Sequence, residues 1–324
     1  MKVRYTKHEE HLDGKFTFGF EYELYPSQDL PDTHYTLFDD QSDKFSAFKD
    51  NFEPVDVEIR NYATYDHEMR KSMIDKLFFL DKIDAKVLVD YGCADGVLLD
   101  LVSQIFPFNG DVYSPSNFVF LGYDIDEKMV KDATKRNVKN SKFTTDWDEI
   151  KRFVSTPASQ AAKTCLIANS LLHEVIHYGT PQSIAEFWDR MFNSGFDYIV
   201  IRDIAYTPEL ETLEMQEDAD TVRSKANAKQ VEDFENIWGS LNIRKNLIHF
   251  LLKYRYKDNW QREVHENYFA NSPADLIAQI PTDKYEVAYK EQFALPFNVK
   301  TIKRDFGIDV SDAWTHVKLI LEKK

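Results

Sequence analysis

Through the middle of the chain, short apolar runs alternate with apolar positions at helical spacing. Val87, Leu88 and Val89 form a run of the kind buried on both faces of a parallel sheet, and Val97, Leu98, Leu101, Val102, Ile105 and Phe106 follow at helical spacing. Runs at residues 118–124, 142–145, 164–170 and 196–201 read as further strands, and Ile184, Phe187, Trp188 and Met191 mark the helix before the last of them. This alternation predicts a parallel sheet with helices on both faces and a ligand crevice at the carboxyl ends of its strands. Near the C-terminus, residues 285–295 and 316–321 read as two more strands joined by a loop.

The flanks follow other patterns. Between residues 16 and 24, Phe16, Phe18, Phe20, Tyr22 and Leu24 alternate with Thr17, Gly19, Glu21 and Glu23, which predicts a half-buried strand. Val55, Val57 and Ile59 alternate with Asp56 and Glu58, and this second strand is expected to pair with the first. Glu21 and Glu23 then face solvent or, alternatively, a metal. Tyr62, Tyr65, Met69, Met73, Leu77 and Leu80 predict one helix ending near Ile83. Residues 221–280 read as helical, with Val231, Phe234, Ile237 and Trp238 on one stripe. The chain therefore divides into an N-terminal β-rich segment (1–60), an α/β core (61–205), a helical insert for substrate recognition (206–282) and a strand pair that completes the core sheet (283–324).

Composition narrows the function. The 324 residues carry a formal charge of −15, which excludes chain-wide attraction to nucleic acid but not a local basic stripe. Such a stripe is offered by Arg244, Lys245, Lys253, Arg255, Lys257 and Arg262, interleaved with Phe250, Tyr254, Tyr256 and Trp260. It reads either as a surface for single-stranded nucleic acid or a nucleotide, or as a solvated helix face. With no apolar run of membrane-spanning length and no basic start leading into an apolar segment, the expected location is cytoplasmic. Two cysteines, Cys93 and Cys165, cannot by themselves build a disulfide framework or a zinc site.

The candidate chemistry begins at the first strand-to-helix turn. Gly92 and Gly96 allow a sharp bend that brings a ligand close to backbone N–H groups at the helix start. A dinucleotide fingerprint would need a glycine where Ala94 stands, so NAD is disfavoured. The pattern Asp90-x-Gly92-x-Ala94-Asp95-Gly96 instead resembles the first motif of class I S-adenosylmethionine-dependent methyltransferases. That resemblance implies a Rossmann-like sheet, mostly parallel, whose antiparallel last strand inserts beside the fifth. It implies S-adenosyl-L-methionine as cofactor, with Gly92, Cys93, Asp95 and Gly96 at the methionine end and Asp90 orienting the turn. Asp124, at the end of the second strand, would accept the ribose hydroxyls, with Ile125 beside it. Asp146 would meet the adenine amino group while Trp147 flanks the ring, although Asp146 reads equally as a helix cap and Trp147 as core.

After the fourth strand, Asn169-Ser170-Leu171-Leu172-His173-Glu174 is similar to the fourth motif of the same family, which lies beside the transferred methyl group. Asn169 would belong to the cofactor site. Ser170, His173 and Glu174 would share one face of a helix starting at Ser170, with His173 the natural general base near neutral pH. The Asn/Asp-Pro-Pro-Tyr motif of exocyclic amine methylation is not present, nor is a Pro-Cys nucleophile, and no metal is required. The implied activity is methyl transfer to an unidentified acceptor, RNA or a nucleotide, with a small-molecule acceptor or a non-catalytic cofactor-binding scaffold as the alternatives.

Overall fold

The computed structural model describes residues 2–7, 9–12, 14–23, 34–54, 70–106, 118–156, 162–211 and 213–324. At the N-terminus, β1 (Lys2–Tyr5) lies between β2 (Glu21–Glu23) and β5 (Phe52–Pro54), and β3 (His34–Phe38) forms a hairpin with β4 (Lys44–Phe48). The expected strand over residues 16–24 is thus reduced to its last part. Phe16 and Tyr22 are buried, whereas Phe18 and Phe20 are 60% and 63% exposed, so the alternation does not mark one buried face. Residues 16–20 turn instead, with Gly19 at positive φ and its N–H donating to Tyr5 O. Glu21 is largely covered and pairs with Arg4 at 2.5 Å. Val55, Val57 and Ile59 lie outside the described residues, as do Tyr62, Tyr65 and Met69.

The predicted helix ending at Ile83 is, in its described part, one turn, α1 (Met73–Lys76), followed by further turns. Leu77, Phe78, Phe79, Leu80 and Ile83 all pack on the sheet's core.

The main sheet is then assembled from β6 (Val87–Tyr91), β7 (Val119–Tyr123), β8 (Ser141–Thr144), β9 (Thr164–Asn169), β10 (Tyr198–Ile204), β11 (Tyr285–Phe293) and β12 (His316–Lys323). Its order is β11-β12-β10-β9-β6-β7-β8. Strands β6 to β10 pair in parallel, and β12 runs antiparallel between β10 and β11. This is the expected mostly parallel Rossmann-like sheet, with the antiparallel last strand beside the fifth.

Period-two alternation along each strand feeds two cores. Val87, Val89 and Tyr91 point into one, with Trp147, Ile150 and Val154 of α4 (Trp147–Val154) and Phe187 and Met191 of α6 (Pro181–Asn193). Leu88 points into the other, with Leu98, Leu99 and Val102 of α2 (Val97–Ile105). Between these elements run α3 (Glu127–Lys135) and α5 (Leu172–Tyr178).

The insert contributes α7 (Gln216–Lys225), α8 (Ala228–Trp238), α9 (Arg244–Lys253), α10 (Trp260–His265) and α11 (Pro273–Ala278). The link between the last two strands holds a helix, α12 (Pro296–Phe306), where the sequence suggested only a loop. Ile302 and Phe306 of α12 share a core with Phe234, Leu247 and Phe250 of the insert. No helix among the described residues is long and apolar enough to cross a membrane.

Candidate functional site

The turn after β6 is held from the end of β7. Tyr123 O accepts the N–H groups of Gly92 and Cys93 at 2.8 and 3.0 Å, and the Asp124 carboxylate accepts those of Ala94 at 2.8 Å and Asp126 at 2.9 Å. Gly96 N–H donates to Cys93 O. Several turn N–H groups that the sequence reading offered to a ligand are therefore used within the protein. Positive φ at Gly92 and Gly96 opens the turn, and added Cβ atoms there would lie 2.9 Å from Leu171 and from Ala133 and Phe143 respectively.

Beside this turn lies a cleft lined by Asp90, Gly92, Cys93, Asp95 and Asn169, together with Ala94, Val97, Leu98, Met73 and Lys76. Asn169 Oδ1 is buried there without a partner. Asp95 pairs with Arg70 at 2.8 Å and with Arg136. Burial raises the Asp90 carboxyl to about 8 against the opposing charge of Lys76. Burial, and then the charge of Arg202, lowers the Lys76 ammonium to about 8.

The other expected cofactor residues are placed differently. Ile125, directly after Asp124, is 85% exposed. Asp146 caps α4 by accepting Asp148 N–H at 2.9 Å, and Asp126 caps α3 in the same way. Trp147 packs in the sheet core at 4.8 Å from the Tyr91 ring and 5.3 Å from the Tyr123 ring, and lines no part of the cleft. As the first residue of α4, it points along the apolar stripe of that helix, and the sheet covers it.

A second, larger cavity opens at the ends of β9 and β10, about 810 Å³ with its open mouth included. Ser170, His173 and Glu174 all line it, but not from one helix face. Ser170 has φ 55 and lies before the helix, which begins at Leu172. Its hydroxyl accepts a hydrogen bond from Arg202 at 2.9 Å.

His173 lies between two carboxylates. Nδ1 faces Asp203 at 2.5 Å and Nε2 faces Glu266 at 3.2 Å. Burial opposes the charge, yet the two carboxylates hold the imidazole up to about 10, so near neutral pH it is an imidazolium with both N–H groups engaged rather than a free base. Arg262 joins this network, reaching Glu174 at 3.1 Å, Glu263 at 3.0 Å and Glu266 at 2.9 Å. His173, Glu174 and Glu266 offer ligand atoms within 4.8 Å of one another, but a cation placed among them would face Arg262 and the imidazolium.

The basic stripe is corrected: folding buries two of its cations and pairs three more with carboxylates. Lys253 is fully buried and donates to the carbonyls of Glu263 and Glu266, and Arg262 is enclosed by its glutamates. Arg244 pairs with Asp312 at 2.5 Å, Lys245 with Glu211 at 2.8 Å and Arg255 with Asp305 at 3.5 Å. Phe250, Tyr254 and Trp260 are core residues, which leaves Lys257 as the exposed member.

Sequence reasoning missed Lys76, which lines both cavities, and Glu266. Lys76 lies inside a stretch read as an ordinary amphipathic helix, and nothing near Glu266 in the sequence ties it to His173.

No family model matches the chain, and no curated protein does. Solved structures similar to it include the plantazolicin methyltransferase BpumL in complex with SAH, at 12% identity, 81% and 88% coverage of the two chains and a TM-score of 0.41. Magnesium protoporphyrin IX methyltransferase from Synechocystis PCC 6803 with bound SAH aligns at 13% identity, 83% and 90% coverage and a TM-score of 0.41. A TehB-like SAM-dependent methyltransferase from Corynebacterium glutamicum aligns at 8% identity, 82% and 100% coverage and a TM-score of 0.39.

Proposed function

We propose that the chain is an S-adenosylmethionine-dependent methyltransferase, with the cofactor in the cleft beside Gly92 and a small-molecule acceptor in the adjoining cavity. The observation that carries this reading is Lys76: one side chain walls both cavities, so a donor in the first would lie next to an acceptor in the second. The cleft suits the cofactor's amino acid end. It offers the Asp90 carboxyl and the Asn169 Oδ1, buried without a partner, to an ammonium group. Asp124 and the exposed Ile125 would receive the nucleoside.

Bound S-adenosylmethionine would supply an electrophilic methyl group. The protein's part is then to align the acceptor, exclude water and, where the nucleophile is protonated, take its proton. Lys76 is the residue suited to the last task. Its lowered pKa leaves part of the amine neutral near pH 8, and among the described residues its ammonium makes no hydrogen bond. His173 acts by positioning, fixing the loop after β9 to the end of β10 through Asp203. The cations of the insert, mostly paired within the fold, favour a small acceptor over RNA.

Melting curves with S-adenosylhomocysteine, S-adenosylmethionine and NAD test the reading. The first two should raise the melting temperature and NAD should not; no shift with either sulfur compound would overturn it.

A further inference from the structure

We infer that the larger cavity takes a small acid, gripping its carboxylate or phosphate with Arg202, Arg255 and Lys71. The inference deepens the proposed function by naming the chemical class of the acceptor, and it rests on that reading only for calling the ligand an acceptor.

Charge is the first argument. The whole chain carries −15, yet this cavity is walled by the cations Lys71, Lys76, Arg202, Arg255 and Arg262 and by the carboxylates of Glu174, Glu263 and Glu266. All of those carboxylates are committed to Arg262, and Glu266 also to His173. Two guanidinium groups of the lining keep donors without partners. Arg202 is 2% exposed; its Nε donates to Asp75 at 2.8 Å and its Nη1 to Ser170 at 2.9 Å, but Nη2 is buried with no partner. Arg255 reaches Asp305 at 3.5 Å through Nη1, while its Nε is likewise buried without a partner.

A guanidinium N–H left unmade in the interior is expensive, and an oxyanion is the ligand that satisfies such donors best. Lys71 and Arg255 come from distant parts of the chain but lie 5.7 and 5.6 Å from the same Phe297 ring, which brings two cations to one part of the wall. Anchored at this wall, the rest of the acid would extend past Lys76 toward the cleft at Gly92.

The test is a calorimetric titration of the full chain with inorganic phosphate and, separately, with glutarate, at constant ionic strength in chloride, with and without saturating S-adenosylhomocysteine. At least one anion should bind the wild type, and the stronger of the two tells phosphate from carboxylate. Arg255→Gln and Lys71→Gln should each weaken that anion about tenfold, the equivalent of one charged hydrogen bond, while leaving S-adenosylhomocysteine affinity unchanged. Arg202→Lys, which keeps the charge but removes the orphaned N–H, should weaken it as well. Absence of binding by both anions, or equal binding by wild type and both glutamine variants, would overturn the inference. Failure of S-adenosylhomocysteine to bind would count against the methyltransferase reading alone, because the anion arms are also read without it.

Discussion

His173 donates its Nδ1–H to Asp203 across 2.5 Å, joining the first turn of α5 to the end of β10. The same carboxylate accepts the N–H groups of Leu171 and Leu172 at 2.8 and 2.6 Å, so one aspartate organises the whole loop after β9. Replacing His173 by Gln should leave Asp203 and Glu266 as incompletely paired buried charges. Breaking a buried pair in this way costs about 3 to 5 kcal/mol, and scanning calorimetry should record a correspondingly lower melting temperature. An unchanged melting temperature would show that the network adds nothing to stability.

The same pair makes stability depend on alkaline pH. His173 is held up to about 10 in the fold against an ordinary value of 6.5, so its contribution is complete below the lower value and is lost as pH rises through the upper one. Asp90, raised to about 8, also loses stability as pH climbs toward that value, whereas Lys76, lowered to about 8, gains between there and its ordinary 10.5. The difference between wild type and His173→Gln isolates the histidine: their melting temperatures should converge from pH 7 to about pH 10. Parallel curves across that window would refute the assignment.

Lys76→Met should retain S-adenosylhomocysteine binding within a few-fold and abolish the rising limb of the pH–rate profile near pH 8. A Met variant with the wild-type profile would remove Lys76 from proton transfer.

Asp124→Ala removes the acceptor for the Ala94 and Asp126 N–H groups. Titration calorimetry should find S-adenosylhomocysteine bound about 1 to 3 kcal/mol more weakly, the range for hydrogen bonds to a charged group. An unaltered affinity would detach the end of β7 from the nucleoside.

Gly122→Ala probes the packing beneath the turn. A Cβ there would lie 2.3 Å from Phe143 and 2.8 Å from Cys93 Sγ, so the turn and β8 must separate. Overpacking of this kind costs about 1 to 3 kcal/mol, read as a lower melting temperature together with weaker nucleoside binding. A variant as stable as wild type would mean that Phe143 relaxes freely.

The sheet was legible because its strands are buried on both faces and its glycine turn carries a local motif. Val87 to Val89 needs no partner to be recognised as a central strand. The Asp146 cap was legible for the same reason, since a cap acts within three residues of itself. The N-terminal alternation misled because aromatic residues at a turn imitate a strand when the partner, β1, is too short to recognise. Trp147 illustrates the limit at the site: its position in the chain suited an adenine, but which way the first residue of a helix points depends on the sheet it packs against. The basic stripe failed more completely, because the glutamates that enclose Arg262 and the carbonyls that hold Lys253 come together only through folding. His173 and Glu266 lie far apart in the chain, and no spacing rule joins them.

The helix between the last two strands makes the insert and the edge of the sheet a single inheritance. Ile302 and Phe306 leave the strand pair to fill a core built mainly by residues from beyond β10. A chimera that exchanged only residues 206–282 would therefore strand the buried side of α12, and a change of acceptor by exchange of this roof requires α12 to travel with it.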